Sequence, residues 1–155
     1  MKNLLLVIGL LAVAARAQDK VDLSIPSSLQ FAVRNVATDS SSQPNPFLIR
    51  FSKARLGAGK VLRLSVRASA PVFRGPSGAP IPASQVAWQV LGAGSGNGFA
   101  GILSNAAWKV VYQSAGNSSS GSVDLRWILR SPLAAKLRAG AHDVSVEWKV
   151  ESVLP

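Results

Sequence analysis

The sequence predicts an all-β fold, an antiparallel β-sandwich of about eight strands. Three observations predict it. Apolar and polar residues alternate with period two in run after run from position 21 onward, and that period places successive side chains on opposite faces of a strand. Clusters of Gly, Ser, Pro and Asn at 38–46, 74–84, 92–98 and 114–121 separate the runs; these residues are the chemistry of turns. Each run has one apolar and one polar face, as strands do when a sheet packs one side on a core and leaves the other in water.

The strands follow in order. VDLSIP aligns Val21, Leu23 and Ile25, and LQFAVRNV aligns Leu29, Phe31 and Val33. NPFLIRFS places Phe47, Ile49 and Phe51 together. KVLRLSVRA turns Leu62, Leu64 and Val66 one way and Arg63, Ser65 and Arg67 the other. VAWQVL carries Val86, Trp88 and Val90, and AAWKVVYQS carries Trp108, Val110 and Tyr112. GSVDLRWILR sets Val123, Leu125, Trp127 and Leu129 against Asp124, Arg126 and Arg130. GAHDVSVEWKVESVLP reads as one closing strand, with Val144, Val146, Trp148 and Val150 alternating with Ser145, Glu147, Lys149 and Glu151. The only helical candidate is SPLAAKLRAG (131–140), expected as a single turn crossing between sheets. RLGAGK (55–60) and KLRAGAH (136–142) resemble one another, each before an alternating run; this fits either the two halves of a Greek key or a chance likeness in a Gly/Ala-rich chain. No composition break divides residues 18–155, so they are expected to form a single domain.

The N-terminus reads as a secretory signal peptide. Lys2 supplies the positive n-region, Leu4 to Ala14 an apolar stretch of 11 residues, and Ala15-Arg16-Ala17 the small-x-small cleavage site. Cleavage after Ala17 takes 17 of the 155 residues and leaves a chain beginning at Gln18. The apolar stretch is shorter than the roughly 20 residues a spanning helix needs. The chain is therefore expected to be secreted, or held in the periplasm or at the cell surface, with no transmembrane span after cleavage. It has no cysteine, so it builds its core without disulfides and offers no thiolate to a metal or a substrate. Its 17 basic and 7 acidic residues give a net +10; loss of Lys2 and Arg16 lowers this by two, to +8. Such a charge attracts polyanions, here an anionic polymer or an acidic glycan.

The signal peptide, the segment VDLSIPSSLQFAV, the polar Ser/Gly/Asn loops and the closing LRAGAHDVSVEWKV together resemble small exported bacterial β-sandwich proteins of the spore coat protein U and fimbrial-subunit type. The matching positions are Ala139, Gly140, His142, Val144, Val146 and Trp148. The resemblance implies an immunoglobulin-like fold and a structural role at the surface or outside the cell. Those subunits usually carry a disulfide, which this chain lacks, and a tyrosine where His142 stands.

No residue set here reads as a catalytic, cofactor or metal site. His142 is the only histidine. A Ser-His-Asp arrangement would need a carboxylate on its own side, and its neighbour Asp143 points to the opposite face. The seven acids show no calcium-loop spacing. Asp124 and Glu147 are expected on neighbouring outward faces, in cross-strand ion pairs. Gly96, Gly98 and Gly101 satisfy G-x-G-x-x-G, but more strand follows them rather than the helix that a dinucleotide site requires; they are expected in a flexible loop. The four tryptophans fall mostly in line with core residues, which argues against a specific nucleic-acid surface of interleaved basic and aromatic groups. Trp88 and Trp108 are also candidates for a sugar-binding face. Two candidate surfaces remain. Arg63 and Arg67 share one strand face and Arg126 and Arg130 another, a candidate polyanion site. The segment with Val21, Leu23 and Ile25 is a candidate edge strand for pairing with the same or another surface subunit. The expected function is that of a non-enzymatic structural or adhesive protein, with a soluble polyanion- or glycan-binding module as the alternative.

Overall fold

The computed structural model describes residues 19–131 and 137–155. The expected signal peptide lies outside the described residues, as do positions 132–136 of the expected helical turn. The described residues form β1 (Lys20–Ser24), β2 (Gln30–Val33), β3 (Ser40–Gln43), β4 (Phe47–Arg55), β5 (Val61–Ala68), β6 (Val72–Arg74) and β7 (Pro80–Pro82). After a 3-10 turn at Ala83–Gln85 come β8 (Val86–Gly94), β9 (Gly96–Gly98), β10 (Gly101–Ile102), β11 (Lys109–Ser114), β12 (Gly121–Leu129), β13 (Gly140–Asp143) and β14 (Val146–Val153). The fold is all-β and every ladder is antiparallel.

The larger sheet is organised around β12. β8 pairs with it from Ser122 to Leu129. On its other side β4 pairs with Gly121–Leu125 and β3 with Ile128 and Leu129. β1 lies outside β4, β2 and then β13 continue beyond β3, and β10 adds to β8. The second sheet has the order β14-β5-β11-β9, and β6 and β7 form a separate hairpin beside β13.

The two sheets bury their apolar faces against one another. Phe47, Ile49, Phe51, Val123, Leu125, Trp127 and Leu129 come from the larger sheet; Leu62, Leu64, Val66, Val111 and Tyr112 come from the second. Each such side chain contributes about 1.5–3 kcal/mol when fully removed from water. Aromatic contacts bridge the layers: Phe47 stacks on Trp148 at 6.2 Å, Trp127 meets Trp148 edge-on at 6.3 Å, and Phe51 meets Tyr112 at 5.7 Å. The Tyr112 hydroxyl is directed at the carbonyls of Gly94 and Ser95, at 2.9 and 2.8 Å. Burial raises its pKa, because the phenolate would lose its hydration there.

Four expectations are corrected. The closing run is two strands rather than one: β13 pairs with β2 in the larger sheet, and β14 pairs with β5 in the second. The chain changes sheets at Val144 and Ser145, where Val144 N–H bonds the Leu29 carbonyl and the Ser145 carbonyl accepts from Ser69 N–H. The serine-rich stretch at 38–46 contains β3, with Ser42 wholly buried and its hydroxyl bonded to the Pro44 carbonyl at 3.1 Å. The glycines at 96–101 lie in β9 and β10, not in a flexible loop. A bulge in β11 between Val110 and Tyr112 buries both Val111 and Tyr112 and turns Trp108 away from Tyr112, onto the outer face.

Candidate interaction surfaces

β5 carries Arg63 and Arg67 on the outer face of the second sheet. β14 places Glu147 opposite Arg67, Lys149 opposite Ser65 and Glu151 opposite Arg63. The Arg67 guanidinium donates through Nε and Nη2 to one Glu147 oxygen, each at 2.7 Å, and lies 4.6 Å from the centre of the Trp108 ring. Lys149 pairs with Glu151 at 2.8 Å and its ammonium lies 5.7 Å from the same ring. Arg63 reaches the Gln113 amide oxygen at 3.4 Å. This face therefore sets three cations against two carboxylates. Such half-exposed pairs are each worth about 0–1 kcal/mol, and they leave little free charge for a polyanion.

Arg126 lies on β12 in the other sheet and Arg130 directly follows that strand, so the two arginine pairs do not form one stripe. Arg126 is exposed, and Arg130 donates through Nη2 to the Ser84 carbonyl at 3.0 Å. Arg50 on β4 adds a third cation to the larger sheet, and neither it nor Arg126 makes an ion pair among the described residues. Leu91 and Ile102, each about half exposed, stand on the same sheet. Asp124 is on β12 and Glu147 on β14, in different sheets. They are not the neighbours expected.

Val21 and Leu23 of β1, with Ile25 just beyond it, pack half-buried against the core, and among the described residues β1 pairs with β4 alone. β1 is thus an edge strand. β14, paired with β5 alone among the described residues, is an edge of the second sheet. Between Ile25, Leu29 and Phe47 on one side and Val146 and Trp148 on the other opens a cleft of about 400 Å³. Its lining is mostly apolar because Val146 and Trp148, in the inward row of β14, are only partly covered there. Asp19 fastens the start of β1 at this side. It accepts Gly57 N–H at 2.8 Å and the Lys60 ammonium at 2.9 Å. The Lys60 contact, helped by the Ser152 hydroxyl, holds the Asp19 carboxyl below its ordinary pKa. A carboxylate depressed in the folded state adds stability above its unfolded pKa and loses it as pH falls through the folded value. Asp19→Asn is therefore expected to lower the melting temperature slightly at neutral pH, with the gap from the parent closing in strong acid. Thermal melts across a pH series check this; an equal gap at every pH would sink it.

His142 is buried, with Nδ1 3.1 Å from the Gly140 carbonyl oxygen and its ring packed against Gly75. Asp143 points away and accepts from Gln30 Nε2 at 2.8 Å. Among the described residues no hydroxyl and carboxylate join His142 as a triad. Among the described residues no group of three or more His, Asp or Glu gathers as metal ligands would. Trp88, one of the two sugar-face candidates, is buried, with Nε1 donating to the Phe99 carbonyl at 2.6 Å. A wider cleft of about 590 Å³ opens beside it, with Ser104, Asn105 and Lys109 among its polar lining. Sequence reasoning missed β14 as an edge: alternation reveals a strand's faces but not its neighbours.

The fold and these surfaces define an antiparallel β-sandwich in which the edge strand β14 flanks an apolar cleft. Compared with known proteins, the chain matches no family model, no curated protein and no solved structure. Among the described residues no helix is long and apolar enough to cross a membrane.

Proposed function

We propose that this is an exported, non-enzymatic structural or adhesive protein of the cell surface, which assembles through its edge strands. The observation that carries the proposal is the pair of edges, β1 and β14, the second of them beside an apolar cleft. Each presents unpaired backbone N–H and C=O groups, and an added strand would satisfy them while covering the half-buried rows. The signal-peptide pattern at 1–17 and the resemblance of the closing segment to spore coat protein U and fimbrial-type subunits, which also suggests a bacterial host, support the same reading. The test is the native mass of the protein recovered, without boiling, from the envelope and medium of its host. Regular multimers are expected, and a monomer at all concentrations would overturn the proposal.

The larger sheet favours a second reading, a soluble polyanion- or glycan-binding module. Arg50 and Arg126 are exposed there without carboxylate partners among the described residues, beside exposed Leu91 and Ile102. Binding to an anionic polysaccharide that weakens steeply with salt, together with a persistent monomer, would favour it.

A further inference from the structure

The edges of this sandwich are not equal. β1 is interrupted by a bulge between Lys20 and Asp22. β9, β10 and β13 are two to four residues long. Short and bulged edges resist pairing with another chain. β14 has neither defence: it keeps an unbroken register with β5 from Val146↔Ala68 to Val153↔Val61, over eight residues without proline. Its inward row is Val146, Trp148 and Val150, all only partly buried. Its outward row runs Glu147, Lys149, Glu151, alternating in sign.

That alternation matters when the strand meets itself. In an antiparallel pair of identical strands, each register is defined by the residue on the two-fold axis. With Trp148 on the axis, Glu147 faces the second copy's Lys149 and Lys149 faces its Glu147. On the inner side Val146 faces Val150 and Trp148 faces Trp148. Moving the axis to Lys149 sets lysine against lysine and Glu147 against Glu151, and like charges directly opposite are destabilising. Moving it to Val150 restores opposite charges but sets Trp148 against Ser152. A slip of one residue puts inward side chains opposite outward ones. Only the Trp148-centred register matches both rows.

We propose that β14 is a self-recognition edge. Two copies of this chain join antiparallel at Trp148 and extend the second sheet across the pair. The proposal deepens the edge-assembly reading and rests on it, naming the edge, the partner and the register. The contact is isologous and closes in a pair, which leaves β1 free for any further growth.

The test uses charge reversal. Glu147→Lys places lysine opposite lysine, and Lys149→Glu places glutamate opposite glutamate, so each purified variant is expected to run as a monomer where the parent is a dimer. Mixed one to one, they regain two opposite-charge pairs, and the dimer returns. Light scattering after size exclusion reads the mass, and circular dichroism verifies the β fold of each variant. A second measurement does not depend on charge. The chain has no cysteine of its own, and facing Cα atoms in an antiparallel pair lie about 4.5–5.5 Å apart, within disulfide reach. Glu147→Cys mixed with Lys149→Cys is expected to oxidise mainly to the cross-linked heterodimer. A parent that multimerises equally well with either charge reversed, or variants that stay monomeric when mixed, would overturn this register and leave edge assembly standing. A parent that is monomeric at every concentration would overturn both.

Discussion

Replacing Trp127 by alanine is expected to lower the unfolding free energy by about 3–5 kcal/mol, the range for deleting a large aromatic from a packed core. Trp127 is fully buried on β12, the strand that β8 pairs on one side and β4 and β3 share on the other. Its ring lies 5.2 Å from Trp88, 6.1 Å from Phe47 and 6.3 Å from Trp148. Its removal takes the central ring from a cluster that joins the two sheets. Against a total stability of about 5–15 kcal/mol for a typical domain, that is a large share.

The loss is one of packing, not of hydrogen bonding, since Trp127 Nε1 is buried without an acceptor among the described residues. Trp127→Phe keeps a ring in place and removes an N–H that costs desolvation without return. It is therefore expected to cost much less than alanine. Trp108→Ala provides the contrast: Trp108 stands on the outer face against Arg67 and Lys149, where its loss costs about 1 kcal/mol or less. Urea titrations of the three variants read the order. Equal losses for Trp127→Ala and Trp108→Ala would contradict the assigned faces.

Position 127 was legible in the sequence because alternation put it in line with Val123, Leu125 and Leu129, and all four are buried. The same held for Phe47, Ile49 and Phe51 and for Leu62, Leu64 and Val66. Where a strand has no apolar alternation, its own residues give no signal. β3 is Ser-Ser-Ser-Gln, held as a strand by the β12 and β2 backbones beside it, an instance of context overriding propensity. β7 is Pro-Ile-Pro in an isolated hairpin, where proline needs no full ladder. The sheet change at Val144 was hidden because alternation continues through it. Trp108 was misplaced because one extra residue in β11 resets the phase of everything before it.

The candidate surfaces were legible to a different degree. That Arg63 and Arg67 share a face followed from their spacing. That Glu147 neutralises Arg67, and that the two arginine pairs stand on separate sheets, depends on strand order. Period-two patterning carries no information about order. The same limit hid the edge character of β14, which is a property of what its neighbours omit.

Gly101→Ala is expected to destabilise the fold by about 1–3 kcal/mol, the usual cost of overpacking a filled site, although one methyl group is added to a surface strand. A Cβ at Gly101 would come within 2.5 Å of Trp88 Cζ2 and 2.7 Å of Cη2. The Trp88 ring cannot turn aside, because it is buried, packed on Trp127 and tied through Nε1 to the Phe99 carbonyl. The glycine is thus required by the close approach of β10 to an indole, a packing reason unrelated to phosphate binding. Gly92→Ala is the control: its added Cβ would meet nothing nearer than an Asp124 oxygen at 3.8 Å, so its effect is expected within about 0.5 kcal/mol. Coupling supplies the sharper check. The clash is with the six-membered part of the indole, so Trp88→Phe clears the space that the new methyl group needs. The double variant Trp88→Phe/Gly101→Ala is then expected to lose less than the sum of the two single losses, as contacting residues do when one change relieves the other. Strict additivity would mean that the glycine answers to something other than Trp88.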